Sequence, residues 1–143
     1  MEKIPEDVKQ EIWENFNEYR IVYFATSTEE QPRVRPVTMV PMDSGFWILT
    51  GMKDAKIKQL KINPKVEVCL PIEKDEHTGY ARFSGKAQIV KDKEIKRNIA
   101  NKVDYFKHYW ESSDDPNFAL LKLEFDRIEY LKPGEIIAQK YSL

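Results

Sequence analysis

The sequence predicts a mainly β domain: six antiparallel strands closing into a small barrel, with three helices outside it. Three observations lead there. Short runs rich in Val, Ile, Tyr, Phe and Thr recur along the chain, as at residues 21–26, 46–50 and 66–72. Turn-forming residues separate them at short intervals, which favours antiparallel neighbours. Helical spacing is confined to three segments.

Taken in order, Pro5 suits the first position of a helix, and Val8, Ile12 and Phe16 follow at four-residue steps to about Asn17. Ile21-Val22-Tyr23-Phe24-Ala25-Thr26 reads as a largely buried strand. Glu29-Glu30-Gln31 turns the chain into an antiparallel strand over residues 32–42. Asp43-Ser44-Gly45 turns it again into a strand over 46–50. Residues 55–62 form a short helix with Ile57 and Leu60 inward, stopped by Asn63-Pro64. A buried strand over 66–72, a polar loop over 73–78 and a strand over 80–90 come next. A helix runs from Asp92 to about Tyr109, and Asp114-Asp115-Pro116-Asn117 breaks the pattern. The last clear strand covers 119–131. Beyond Gly134 the pattern is weak and fits a strand or an arm.

Composition bounds the function. A chain of 143 residues is the size of one domain and can bury a core. With 41% hydrophobic and 33% charged residues it has the make-up of an ordinary soluble protein. Its 23 basic and 24 acidic residues nearly cancel, which argues against non-specific nucleic-acid binding. The apolar runs fall far short of the roughly 20 residues a spanning helix needs. The single cysteine, Cys69, forms no internal disulfide, and a reducing cytoplasm is the expected home.

Residues 33–60 carry the functional signal. Their first strand sets Arg33, Arg35, Val37 and Met39 on one face and Val34, Pro36, Thr38 and Val40 on the other. Solvated arginines on an edge strand would produce the same alternation, and Pro36 would suit such an edge. A short apolar strand follows, ending in Leu49-Thr50, and then a helix bearing Lys56. Cations across a strand, a hydroxyl at a strand end and a helix N-terminus with a lysine make a good anion site.

Arg-Pro-Val-Thr at 35–38, a glycine turn, Trp-Ile-Leu-Thr at 47–50 and Lys56 six residues beyond that threonine resemble, in order and spacing, a known pattern. It is that of the FMN-binding split-barrel family, the pyridoxamine 5'-phosphate oxidase-like proteins. The resemblance covers about residues 15–90, and more loosely 118–131. It implies a six-stranded antiparallel split β-barrel, homodimeric, with FMN at a two-fold interface. It further implies that Arg35, Pro36, Val37 and Thr38 line the FMN. Leu49 and Thr50 would add backbone and hydroxyl contacts, and Lys56 would pair with the phosphate. A phosphate dianion is held best by such charge-assisted bonds.

The departures are also informative. Asp54 stands where many relatives place a serine, and Ala55 where many place an arginine. A carboxylate there repels phosphate unless it turns away to cap the helix. Lys53 is the cation that would compensate. The arginine- and histidine-containing C-terminal segment of true pyridoxamine phosphate oxidases is replaced by Ile128-Glu129-Tyr130-Leu131-Lys132-Pro133-Gly134, which argues against that reaction. The short general stress proteins of the family are the better match, including Asp114 to Asn117. The implied function is flavin-dependent oxidoreduction of a small molecule, with a reduced nicotinamide as one partner. A non-catalytic flavin-binding protein, and a deazaflavin- or haem-binding member of the fold, are the alternatives.

Other candidates are weaker. His77 and His108 lack ligand-spaced neighbours for zinc. Cys69 is expected to be an inert core thiol. Asp114 and Asp115 fit a turn better than a catalytic pair. Tyr105, Phe106, Tyr109 and Trp110 form an aromatic cluster suited to core or dimer packing. The resemblance implies instead that a ring such as Trp110 covers the partner subunit's flavin. Lys53, Lys56, Lys58, Lys61 and Lys65 would make a basic platform for single-stranded nucleic acid, or simply a solvated helix face.

Overall fold

The computed structural model describes residues 1–143. Helix α1 (Glu6–Trp13) continues as a 3-10 turn over Glu14–Phe16. The strands are β1 (Arg20–Thr28), β2 (Gln31–Met42), β3 (Gly45–Gly51), β4 (Lys65–Lys74), β5 (His77–Ile89), β6 (Phe118–Leu131) and β7 (Gln139–Ser142). Helix α2 (Ala55–Ile62) lies between β3 and β4, and α3 (Lys93–Lys102) between β5 and β6.

All seven strands belong to one antiparallel sheet in the order β3-β2-β1-β4-β5-β6-β7. A further pairing joins β3 to β6, with Thr50 opposite Ala119 and Phe46 opposite Leu123. Hydrogen bonding therefore runs from β1 through β2, β3, β6, β5 and β4 back to β1. The six strands expected from the sequence are all present, and β7 is a seventh on the free side of β6.

Period-two alternation points Val22, Phe24, Val68, Leu70, Phe83 and Leu121 into the main core. Helix α1 closes one end of it. Ile12 is fully buried, and Phe16 stands edge-on to Phe46 and Phe83 at 5.2 and 5.8 Å. Burying each such side chain contributes about 1.5–3 kcal/mol. Tyr130 donates to Glu11 Oε2 at 2.8 Å and fixes α1 to β6. A second core lies outside the sheet. There Ile99, Ala100, Val103 and Phe106 cover Trp47, Leu49, Phe118 and Leu120.

Three expectations are corrected. The helix expected to reach Tyr109 ends at Lys102, and a 3-10 turn over Phe106–His108 follows. A continuous helix would put rings 105, 106, 109 and 110 on one face. Straightening at Val103 sends Phe106 into the second core and leaves Tyr109 exposed. The polar loop expected over 73–78 is a two-residue turn at Asp75-Glu76 between longer strands. Both residues have positive φ, as do Glu29-Glu30 and Asp43-Ser44, the geometry that matches strand twist in tight hairpins. Cys69 is not in the core. Its neighbours Val68 and Leu70 point inward, so it faces outward opposite Tyr23. Burial there pushes the thiol up from its ordinary value, against the pull of Arg82.

No helix is long and apolar enough to cross a membrane.

Candidate functional site

Where the second core meets β2, β3 and α2 the molecule opens a cleft of about 490 Å³. Pro36, Val37 and Thr38 from β2 form one wall, and Ile48, Leu49, Thr50 and Gly51 from β3 form the back. Lys56 enters from the first turn of α2. Tyr19, Tyr105, Tyr109 and Trp110 make the aromatic side.

Lys56 is only 6% exposed. Its ammonium donates to Thr50 Oγ1 at 2.8 Å and lies 3.0 Å from Asp54 Oδ2. An ammonium has three N–H donors, so this geometry leaves one unassigned. Asp54 has two roles. Its Oδ1 accepts the Lys56 backbone N–H at 3.2 Å and caps α2, while its Oδ2 pairs with the ammonium. Burial opposes ionisation of Asp54, but the hydrogen bonds and charge of Lys56 prevail and hold the carboxyl below its ordinary value. The capping role anticipated for Asp54 is thus present, and the carboxylate still faces the cation.

Arg35 is spent on the fold. Its guanidinium donates to the Phe24 carbonyl at 3.2 Å, to Thr26 Oγ1 at 3.0 Å and to Gln59 Oε1 at 2.7 Å. Thr26 itself donates to Gln59 at 2.6 Å. Four polar groups from β1, β2 and α2 are locked together behind the cleft wall. Burial pulls the guanidinium down from its ordinary value, with Asp54 opposing.

The aromatic side is built in steps from core to solvent. Phe118 is fully buried, and the Trp110 ring lies tilted against it at 5.0 Å and against Phe106 at 5.4 Å. Tyr105 sits edge-on between Tyr19 at 5.5 Å and Tyr109 at 6.2 Å. Its hydroxyl is buried and has no hydrogen-bond partner within the chain.

Of the residues singled out in the sequence, Pro36, Val37, Thr38, Leu49, Thr50, Lys56 and Trp110 line this one cleft. Arg35 and Lys53 do not, and Lys53 is exposed. Trp110 stands in its own chain's cleft, beside the strand end that carries Thr50. Tyr105 and Tyr109 were legible only as an aromatic surplus, while Tyr19, just before β1, carried no signal. The lysine series loses one member, because Lys56 points inward while Lys53, Lys58, Lys61 and Lys65 are exposed. Asp115 caps the turn before β6, accepting from the Asn117 N–H at 2.9 Å. No group of three or more His, Cys, Asp or Glu side chains is placed to hold a metal ion.

A buried cation beside a strand end, a helix N-terminus and an aromatic wall share one cleft of an antiparallel β domain. The model of the family described as Pyridoxamine 5'-phosphate oxidase matches residues 8–132, and the chain belongs to that family. General stress protein 26 of Bacillus subtilis (strain 168) is 24% identical over 132 residues, 91% of this chain and 92% of that one. The crystal structure of General Stress Protein 26 from Bacillus anthracis str. Sterne superposes with a TM-score of 0.73 at 22% identity, covering 95% and 98% of the two chains. A haem-binding protein from Mycobacterium smegmatis shares the fold at 15% identity and a TM-score of 0.71, over 90% of this chain and 54% of that one.

Proposed function

We propose that this protein binds FMN in the cleft and is a flavin-dependent oxidoreductase acting on a small molecule. The observation that carries the reading is the Lys56 ammonium, buried at 6% exposure beside Thr50 Oγ1. A lysine is rarely buried to this degree without an anionic partner. Asp54 supplies one charge, and a phosphate dianion would share the same cation, the Thr50 hydroxyl and the N-terminus of α2. The donor set therefore fits a phosphate. The cleft volume falls in the range of small-molecule sites, and its apolar walls suit a planar ring. Bound FMN would supply hydride or single-electron chemistry, while the chain's residues hold and orient it. A reduced nicotinamide fits the reading as electron donor.

In this reading the closed pairing circuit is the six-stranded split barrel, with β7 added beside β6. The working form is a cytoplasmic homodimer. Ile21, Tyr23 and Val34 are 67%, 48% and 68% exposed on the outer face of β1 and β2. Tyr23 lies opposite Pro36 and Ile21 opposite Thr38, so this apolar face runs into the cleft wall. A second copy seated there would cover it and close the cleft. Sedimentation equilibrium would then give the mass of two chains.

The test is a visible spectrum of the purified protein, followed by titration with FMN and with riboflavin, which lacks the phosphate. Saturable fluorescence quenching by FMN is expected. Lys56→Met should weaken FMN at least 100-fold while changing riboflavin binding little. A wild-type protein indifferent to FMN would sink the reading. Turnover of reduced nicotinamide with an electron acceptor separates an oxidoreductase from a non-catalytic flavin carrier.

A further inference from the structure

Helix α2 brings Lys56 to the cleft, yet it has little apolar surface with which to hold its place. Of its eight residues only Ile57 and Leu60 are buried apolar side chains, and the third buried residue is Lys56 itself. A helix this short is marginal alone, so its position depends on what it is attached to. Polar contacts supply the attachment. Gln59 follows Lys56 by three residues, which puts the two side chains side by side on the helix. Lys56 reaches Thr50 on β3. Gln59 reaches the other two strands: its Oε1 accepts from Thr26 Oγ1 on β1 at 2.6 Å and from the Arg35 guanidinium on β2 at 2.7 Å. At the far end of the helix, Asn63 Nδ2 donates to the Ser27 carbonyl at 2.9 Å.

We propose that Gln59 is a positioning residue for the phosphate site: clamped by Thr26 and Arg35, it fixes the first turns of α2 so that the Lys56 ammonium meets the ligand's phosphate already in place. This rests on the flavin reading. Gln59 itself does not line the cleft, so it acts through the helix and not by contact with the ligand. Three properties of the clamp support it. Arg35 carries donors only, so the Gln59 amide must turn its oxygen toward it, and the two donors occupy both lone pairs of that oxygen. The guanidinium bond is charge-assisted and Thr26 is only 3% exposed, so water competes weakly for either contact. The contacts also triangulate the helix: with Lys56 tied to β3 and Gln59 to β1 and β2, neither a slide nor a rotation of α2 preserves all of them. A helix free to shift would have to be ordered on binding, and apparent affinity falls by the fraction of time the site is competent.

Gln59→Met keeps the length of the side chain and removes the acceptor. In the ligand-free variant the amides of α2 should exchange with solvent deuterium about 10-fold faster, while those of α3 keep their wild-type rates. The dissociation constant for FMN should rise about 10-fold and that for riboflavin should stay within about twofold, because α2 holds only the phosphate. Gln59→Glu retains an acceptor oxygen, with its charge matched by Arg35, and should return FMN to within about threefold of the wild type. Thr26→Val removes one of the two donors, is the milder change, and should weaken FMN about 2- to 4-fold; it decides the matter if Gln59→Met does not fold. Equal weakening of both flavins, or no recovery in Gln59→Glu, would make Gln59 an ordinary scaffold contact and overturn the proposal. Unchanged FMN affinity in Gln59→Met would overturn it while leaving the flavin reading standing. A wild-type protein that binds neither flavin would remove both.

Discussion

Asp54 is the residue at which the candidate phosphate site is least favourable, and replacing it with asparagine gives a quantitative test. One carboxylate oxygen lies 3.0 Å from the Lys56 ammonium and the other caps α2. A phosphate bound to the same ammonium would have its charge centre about 5 Å from the carboxylate. At the near-aqueous dielectric of a solvent-open cleft the repulsion from a phosphate dianion is about 1–2 kcal/mol. Asparagine caps helices as well as aspartate does, so Asp54→Asn keeps the backbone bond and removes only the charge. FMN should bind about 5- to 30-fold more tightly, by the conversion of tenfold per 1.4 kcal/mol. Riboflavin affinity should stay within twofold. The fold should lose about 1–3 kcal/mol, since Asp54 is 45% exposed but the Lys56 ammonium left behind is buried. Fluorescence titration of both flavins, with thermal melts, measures all three. Equal tightening for both ligands, or no tightening for FMN, would refute the placement of the phosphate beside Lys56.

Two further expectations concern the scaffold. A Cβ at Gly85, where β5 shifts register against β6, would collide with the Glu124 carbonyl, which is backbone and cannot swing aside. Gly85→Ala should therefore cost about 3 kcal/mol and lower the melting temperature by about 6–12 °C; a neutral result would mean that the bulge is not rigid. Glu11 is held below its ordinary value of 4.5, chiefly by the Tyr130 hydroxyl and then by Lys132, with burial opposing. Because the folded carboxyl binds its proton less readily than the unfolded one, this stabilisation is complete above pH 4.5 and disappears as pH falls through the lower folded value. Glu11→Gln should be about 1 kcal/mol less stable at pH 7, with the gap closing in acid; a pH-independent gap would contradict the linkage.

The strands, both short helices before β4 and the position of the lysine were legible in the sequence because each rests on local information. Alternation in Val66, Val68, Leu70 and Ile72 needs only the period of a strand. Asp54 before Ala55 and Lys56 reads as a cap because capping is a contact over two residues. The family pattern groups Arg35 to Thr38, Leu49, Thr50 and Lys56 by sequence alone, and the cleft contains all of them but Arg35.

Legibility ended where a side chain had two destinations of similar local cost. Arg35 sits among cleft residues in sequence, yet its guanidinium is taken by Thr26 and Gln59, which lie 9 and 24 residues away. Cys69 is a different case: its composition suggests the core, but the local alternation of Val68 and Leu70 already turns it outward. The aromatic segment from Tyr105 to Trp110 reads as a helix by itself.

The amino-acid sequence by itself determined the order of β1 to β6 and the helices, the turns before β2 and β3, and the chemistry gathered around Thr50 and Lys56, because hydrophobic period, capping and turn preference act over a few residues. The tertiary structure alone decided that β3 pairs with β6, that Arg35 serves the fold, and that the Tyr105 ring reaches the cleft while its hydroxyl stays buried and unpaired. Those outcomes depend on which distant groups arrive at the same place, and the energy of burying or pairing a polar atom is set by all of them together.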